Sequence, residues 1–267
     1  MGSVRAPAVA GTFYPADAAT LSAAVDDLLA SGDPAPIDVD PMLLIVPHAG
    51  YVYSGPVAAT AYRLLATMPE PPRRLVMVGP SHFVAVSGVA TPNTRGLETP
   101  LGIVEVDAEL AAAAEAHPAV APGPAAHARE HSLEVQLPFL QRALGELTVL
   151  PLLTGEATPQ EVAAVLDEAV DTEGVMGLIS TDLSHYLDAA TARRRDASTA
   201  AAVVELRPED IGREDACGRT GLQAGLVLAR TRGWACRLLD LRNSGDTAGP
   251  TDRVVGYGAF AIGPVAT

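Results

Sequence analysis

An α/β fold with a largely parallel or mixed sheet between helical layers is predicted by three observations. Short, apolar, β-branched runs recur along the chain, alanine-rich stretches of helical character lie between them, and 267 residues at 48% hydrophobic can bury a sizeable core. In order, "DAATLSAAVDDLLA" (17–30) reads as a helix that stops at a Ser-Gly pair, and "MLLIV" (42–46) as a strand buried on both faces. Helix 56–67 leads to strand "RLVMVG" (74–79), then helix 107–116 to strand "LTVLPLL" (147–153). Helix 159–170 has Thr158 as N-cap and Pro159 at its first position, and strand "VMGLIS" (175–180) follows it. Helices 188–205 and 216–231 precede the strands "CRLLDL" (236–241) and "RVVGYGAFAI" (253–262). The Pro/Gly/Ala-rich stretches 31–41 and 117–130 read as loops, and no composition break marks a boundary, so residues 1–267 are taken as one domain.

Composition removes several functions. The 18 basic residues are all arginine, which excludes a Schiff-base lysine and a P-loop lysine. A net charge of −14 opposes nucleic acid as a partner, because that binding draws most of its affinity from basic groups on phosphates. No run of 18 apolar residues is present, so a cytoplasmic protein with no membrane partner is expected. Cys217 and Cys236 are too far apart for a CxxC motif and read as packing residues of a reducing compartment.

Three strand runs end alike. Pro47-His48-Ala49-Gly50 follows the first, Pro80-Ser81-His82 the second, and Thr181-Asp182-Leu183-Ser184-His185-Tyr186 the fourth. Loops after parallel strands share the ligand-binding edge of an α/β sheet, so His48, His82 and His185 can converge there. A loop histidine is more often a turn residue than a ligand, but three with the same placement argue for a preorganised metal site. The segment "REHSLEVQLPFL" (129–140) adds Glu130 and His131 near the start of a helix whose face carries Leu133, Leu137 and Leu140, with Pro138 marking a bend or an end. His117 and His127 are assigned to solvent, and Arg193 to Arg195 to an exposed helix face. The loop "LDLRNSGDTAG" (239–249) offers Asp246 as a carboxylate ligand, against the plainer reading of a turn built by Asn, Gly and Asp.

"AGTFYP" (10–15), "PHAGYVYSG" (47–55), "GPSH" (79–82), "TPLG" (99–102), "EHSLEVQLPFL" (130–140), "STDLSHY" (180–186), "NSGD" (243–246) and "VVGYGA" (254–259), in this order, resemble the Memo-like proteins. Bacterial and archaeal members of that family are often called AmmeMemoRadiSam system protein B. The resemblance implies a three-layer fold similar to the class III extradiol ring-cleaving dioxygenases, in which two histidines and a carboxylate hold iron(II). Carried over by motif, His48 and His82 match the metal-binding histidines, His185 the acid/base position and His131 a second pocket histidine. Animal members place a cysteine in the loop that corresponds to "NSGDTAG", where this chain has Thr247 directly after Asp246. The resemblance also implies functional association with AMMECR-domain and radical-SAM proteins.

Three functions stay open. The first is non-haem iron, dioxygenase-like chemistry on a small, possibly aromatic substrate, with His48, His82 and Asp246 on Fe(II), while His185 and His131 act as proton carriers. Asp182, three residues before His185, would accept a hydrogen bond from that imidazole, and Tyr51, Tyr53, Phe83 and Tyr186 would contact the substrate. The second is a module that binds a peptide or small ligand without turnover. The third is zinc-dependent hydrolysis, and copper is a further candidate ion.

Overall fold

The computed structural model describes residues 3–32 and 36–266, so Asp33 to Ala35 of the loop expected over 31–41 lie outside the described residues. Four parallel strands make the centre of the sheet: β2 (Leu43–Val46), β3 (Arg74–Pro80), β8 (Thr148–Thr154) and β9 (Val175–Ser180). They lie in the order β8-β3-β9-β2, with Leu43 beside Gly177 and Met77 beside Leu178. Beyond β2, strand β12 (Val254–Gly263) runs antiparallel and carries both β10 (His185–Leu187) and β11 (Ala235–Asn243). On the other side, β6 (Gly102–Val106) joins β8, β5 (Gly96–Thr99) joins β6, and β1 (Val4–Arg5) joins β5. The short strands β4 (Val89–Thr91) and β7 (Val120–Pro122) pair with each other, and β4 with β8. The sheet is therefore mixed.

Alternation along the buried strands divides the core into two layers. Leu44, Val46, Leu75 and Met77 face α1 (Ala18–Ala30), α2 (Tyr51–Ala66) and α5 (Leu137–Leu144). Leu43, Ile45, Val76 and Val78 face α3 (Ala108–Glu115), α6 (Pro159–Val170), α7 (Ala189–Val204) and α8 (Arg219–Arg232). Helices on both faces complete the three-layer α/β sandwich. Two further one-turn helices, α4 (Pro124–His127) and α9 (Ser244–Thr247), sit in loops.

Expected and observed helix starts differ near two prolines. α2 begins at Tyr51, five residues before the expected start. Pro56 lies inside it and leaves without a helical donor the carbonyl of Val52, a residue 66% exposed and so open to water. Pro138 sits in the first turn of α5, where its missing N–H costs nothing, so the helix starts at Leu137 rather than near Glu130. His127 is buried, not solvated, and its Nε2 lies 2.9 Å from the Ala90 carbonyl. Burial holds that imidazole neutral, its pKa lowered to about 4.

Candidate functional site

The site lies over β9, where the chain leaves the parallel strands. β2 ends because Pro47 has no N–H for the ladder, and the next backbone N–H, that of His48, donates to Asp182 Oδ1 at 2.7 Å. This bond ties the loop after β2 to the loop after β9. β3 ends in the same way at Pro80, and the His82 N–H donates to Glu130 Oε2 at 2.6 Å. Each histidine thus hangs from a backbone bond to a carboxylate in another loop.

One ring nitrogen from each of His48, His82 and His131 lies within 4.8 Å of the others. The rings of His82 and His131 stack with centroids 4.7 Å apart, and His48 meets them edge-on at 5.2 and 5.5 Å. Burial, followed by the neighbouring His82, holds His48 far below the usual imidazole pKa. His131 is lowered chiefly by burial.

The hydrogen bonds decide which nitrogen of His48 is free. Ser180 Oγ has a single proton, which it donates to the Ser132 carbonyl at 2.6 Å. The same oxygen is 2.8 Å from Gln136 Nε2 and 2.9 Å from His48 Nδ1, so it accepts from both. His48 therefore carries its proton on Nδ1 and presents the Nε2 lone pair. Gln136 is held in turn by the Tyr62 hydroxyl, which donates to Oε1 at 2.7 Å. For His82 the acceptor is Glu130 Oε1, 2.9 Å from Nδ1, so the neutral ring carries its proton on Nδ1 and its lone pair on Nε2. Burial raises the Glu130 pKa, but hydrogen bonds from the His82 ring, His82 N–H and Ser132 N–H outweigh it and bring it down to about 2. A carboxylate behind a ligating imidazole is the usual support of a metal site. His131 Nδ1 is buried with no hydrogen-bond partner in acceptable geometry, though Glu130 Oε1 is 3.3 Å away. Three clustered imidazoles, two of them tied back through Nδ1 by Ser180 and Glu130, fit a divalent ion that accepts nitrogen ligands.

One turn further, Glu134 is fully buried and does different work. Its carboxylate accepts from Arg5 at 2.5 Å, from the backbone of Ala8 and Val9 at 2.7 and 3.0 Å, and from the Tyr14 hydroxyl at 2.6 Å. The "AGTFYP" segment is thereby fastened over the site. Phe13 then packs 4.8 Å from His131, and its carbonyl accepts the Tyr51 N–H at the start of α2.

A cleft of about 570 Å³ opens on the three histidines and is also lined by Asp182, His185, Tyr186, Arg213 and Cys217. His185 Nδ1 donates to the Leu183 carbonyl at 2.8 Å, so its Nε2 is the basic nitrogen. The carboxylate of Asp182 was expected to hold His185; it binds the His48 N–H instead, and burial raises its pKa. Cys217, absent from the expected site, lies with Sγ 3.2 Å from His48 Nε2. Burial pushes its thiol up to about 12, so it meets His48 as a neutral S–H donor. Tyr51 is buried, and its hydroxyl donates to the Val135 carbonyl, which makes it a packing group rather than a substrate contact. Tyr53 is exposed in the first turn of α2 but does not line the cleft, whereas Phe83 is exposed 5.9 Å from the His131 ring.

Asp246 is not brought to the histidines. Its Oδ1 accepts from Arg193 at 2.5 Å and its Oδ2 from the Asn243 N–H at 3.0 Å, closing a capping box on α9. β11 does point its last residue toward the same sheet edge as β2, as expected. It lies three strands from β9, however, which at the spacing of paired strands is about 14 Å. His131, from the segment between β7 and β8, occupies the third position. Ser180, Gln136 and Glu134 were not foreseen as site residues; the available signal was polarity at the end of a buried strand and the repeated acids of "EHSLEVQ".

A family model described as Memo-like protein matches residues 5–261. A MEMO1 family protein of Aquifex aeolicus is 37% identical over 268 residues, 95% of this chain and 97% of its own length. MEMO1 family protein MK0963 of Methanopyrus kandleri is 36% identical, covering 97% of this chain and 98% of its own. Among solved structures, the uncharacterized protein JW3007 from Escherichia coli K12 superposes with a TM-score of 0.55 over 81% of this chain and 99% of its own, at 15% identity, a likeness of fold.

Proposed function

The chain belongs to the Memo-like family, and from that premise we propose that it is a metal-dependent enzyme acting on a small organic molecule in the cleft beside His48, His82 and His131. The observation that carries this reading is the pair of fixed tautomers. Ser180 and Glu130 each accept a hydrogen bond from an Nδ1–H, so the lone pairs of the neutral His48 and His82 rings are on Nε2, that of His48 accepting from the Cys217 S–H, which an ion would displace. His131 completes the donor set. Such an ion supplies a Lewis acid with open positions, and iron(II) would add dioxygen chemistry.

The protein's own groups do the rest. His185, half-buried with Nδ1–H held by Leu183, offers Nε2 to take a proton from substrate in the cleft. Phe13 and the loops clamped by Glu134 restrict water on one side of the cluster. Iron(II) and oxidation are the first reading, in keeping with the dioxygenase-like pocket of the family. A second reading, zinc-dependent hydrolysis, is favoured by the replacement of the expected Asp246 by a third imidazole, because three histidines and an open position also make a hydrolytic zinc site.

Anaerobic purification, loading with Fe(II) or Zn(II) and parallel screens of dioxygen uptake and ester hydrolysis test both readings. Fe-dependent uptake lost in His185→Ala, with metal content unchanged, is the expected result. Zn-dependent hydrolysis alone selects the second reading. Failure of wild-type protein to hold any divalent ion overturns both.

A further inference from the structure

The rim of the cleft has a chemistry of its own. In a chain of net charge −14, arginines are for the most part tied to carboxylates, as Arg74 is to Asp107 and Arg237 to Asp38. Three arginines that form no ion pair among the described residues lie in this cleft or next to groups at its edge. Arg213 lines it and is exposed. Arg129 sits 5.5 Å from the centroid of Phe83, the exposed ring beside His131. Arg253 sits 4.5 Å from the centroid of Tyr186, which lines the cleft and is 63% exposed. Tyr186 and Arg213 thus line the cleft, while Arg253 lies against Tyr186, and Phe83 with Arg129 lies against the lining residue His131. Opposing them are Glu214, which also lines the cleft, and Asp182, which is buried and already bound to the His48 N–H.

We propose that the cleft selects a small organic anion with a planar apolar body, its carboxylate or phosphate taken by Arg213 with Arg129 and Arg253 as the outer charges. Guanidinium groups pair with these oxyanions through two parallel hydrogen bonds, and the rings of Phe83 and Tyr186 offer flat apolar surface. A cation in the cleft with two more close by, none of them ion-paired, also attracts anions from solution, an attraction that salt weakens. The proposal names the substrate class of the site put forward above and rests on that reading for its place in catalysis, though not for binding.

The test is titration calorimetry of benzoate, phenyl phosphate and neutral benzamide against chelator-treated and Zn(II)-loaded protein. Both states of the wild type are expected to prefer at least one anion over benzamide by about tenfold, and the preference should shrink as ionic strength rises. The stronger of benzoate and phenyl phosphate identifies the oxyanion. Arg213→Gln should remove most of the preference without changing benzamide binding or melting temperature, and Glu214→Gln should increase it. Equal binding of benzamide and both anions overturns the proposal. So does a preference seen only in metal-loaded protein and unaffected by Arg213→Gln, which would leave the metal reading standing. An Arg213-dependent preference in protein that retains no metal would sustain this proposal and remove the metal reading.

Discussion

The segment 130–136 and the turn 243–247 each carry acids near the same edge of the sheet, and only the first reaches the site. In the first, Glu130 is surrounded by donors that belong to the cluster itself: the ring and N–H of His82 and the N–H groups of His131 and Ser132. In the second, Asp246 finds Arg193 and its own turn before any imidazole. A carboxylate's role follows from which donors surround it. Position at the ligand-binding edge of an α/β sheet is insufficient when the strand that delivers the residue lies three neighbours away.

The largest effect that can break this contrast is loss of the metal. His82→Ala and His131→Ala should each reduce bound divalent metal to background, as read by elemental analysis after gel filtration, with the circular dichroism of the fold retained. If Asp246→Asn does the same, the turn 243–247 belongs to the site and the contrast fails.

Next comes acid sensitivity beneath the first segment. His127 packs there, its carbonyl accepting from Arg5 Nε at 2.6 Å and its ring kept neutral by burial. Its folded pKa, about 4, is below the unfolded value, so protonation favours the unfolded chain. The stabilising contribution is complete above about pH 6.5 and falls as pH drops toward 4, by at most about 3 kcal/mol. Chemical denaturation of the wild type and His127→Gln between pH 7 and 4 should show a steeper loss for the wild type, and parallel slopes would contradict the buried neutral ring.

A smaller change is expected at Glu130. Glu130→Gln replaces one acceptor oxygen by an amide that faces N–H donors, and should weaken metal binding by about 10- to 100-fold, the range found for supports of this kind. Competition with a fluorescent chelator measures it. Unchanged affinity would show that the His82 ring is held by packing alone.

The smallest effect belongs to the turn. Asp246→Asn loses an ion pair whose arginine is 59% exposed, so melting should shift by the equivalent of less than about 1 kcal/mol, with metal affinity within about twofold of wild type. A tenfold loss of metal would reverse the order of the two regions.

What the sequence by itself determined is local. Buried strands such as Leu43–Val46 need apolar residues on both faces, and proline stops them, so His48 and His82 are legible as residues at strand ends. The Thr158 cap with Pro159 located α6 to the residue for the same kind of reason, since a cap depends on side chains a few positions apart. The family motifs are legible too, and they placed His131 in the pocket. Only the tertiary structure decided that His131 rather than Asp246 joins the cluster, and that Asp182 holds the His48 backbone rather than the ring of His185. It also decided that Ser180, 132 positions from His48 along the chain, sets the tautomer of that imidazole. These outcomes depend on strand order and on competition among donors for each oxygen. Neither is written in spacing, because the chain separation of two residues says nothing of which strands come to lie between them.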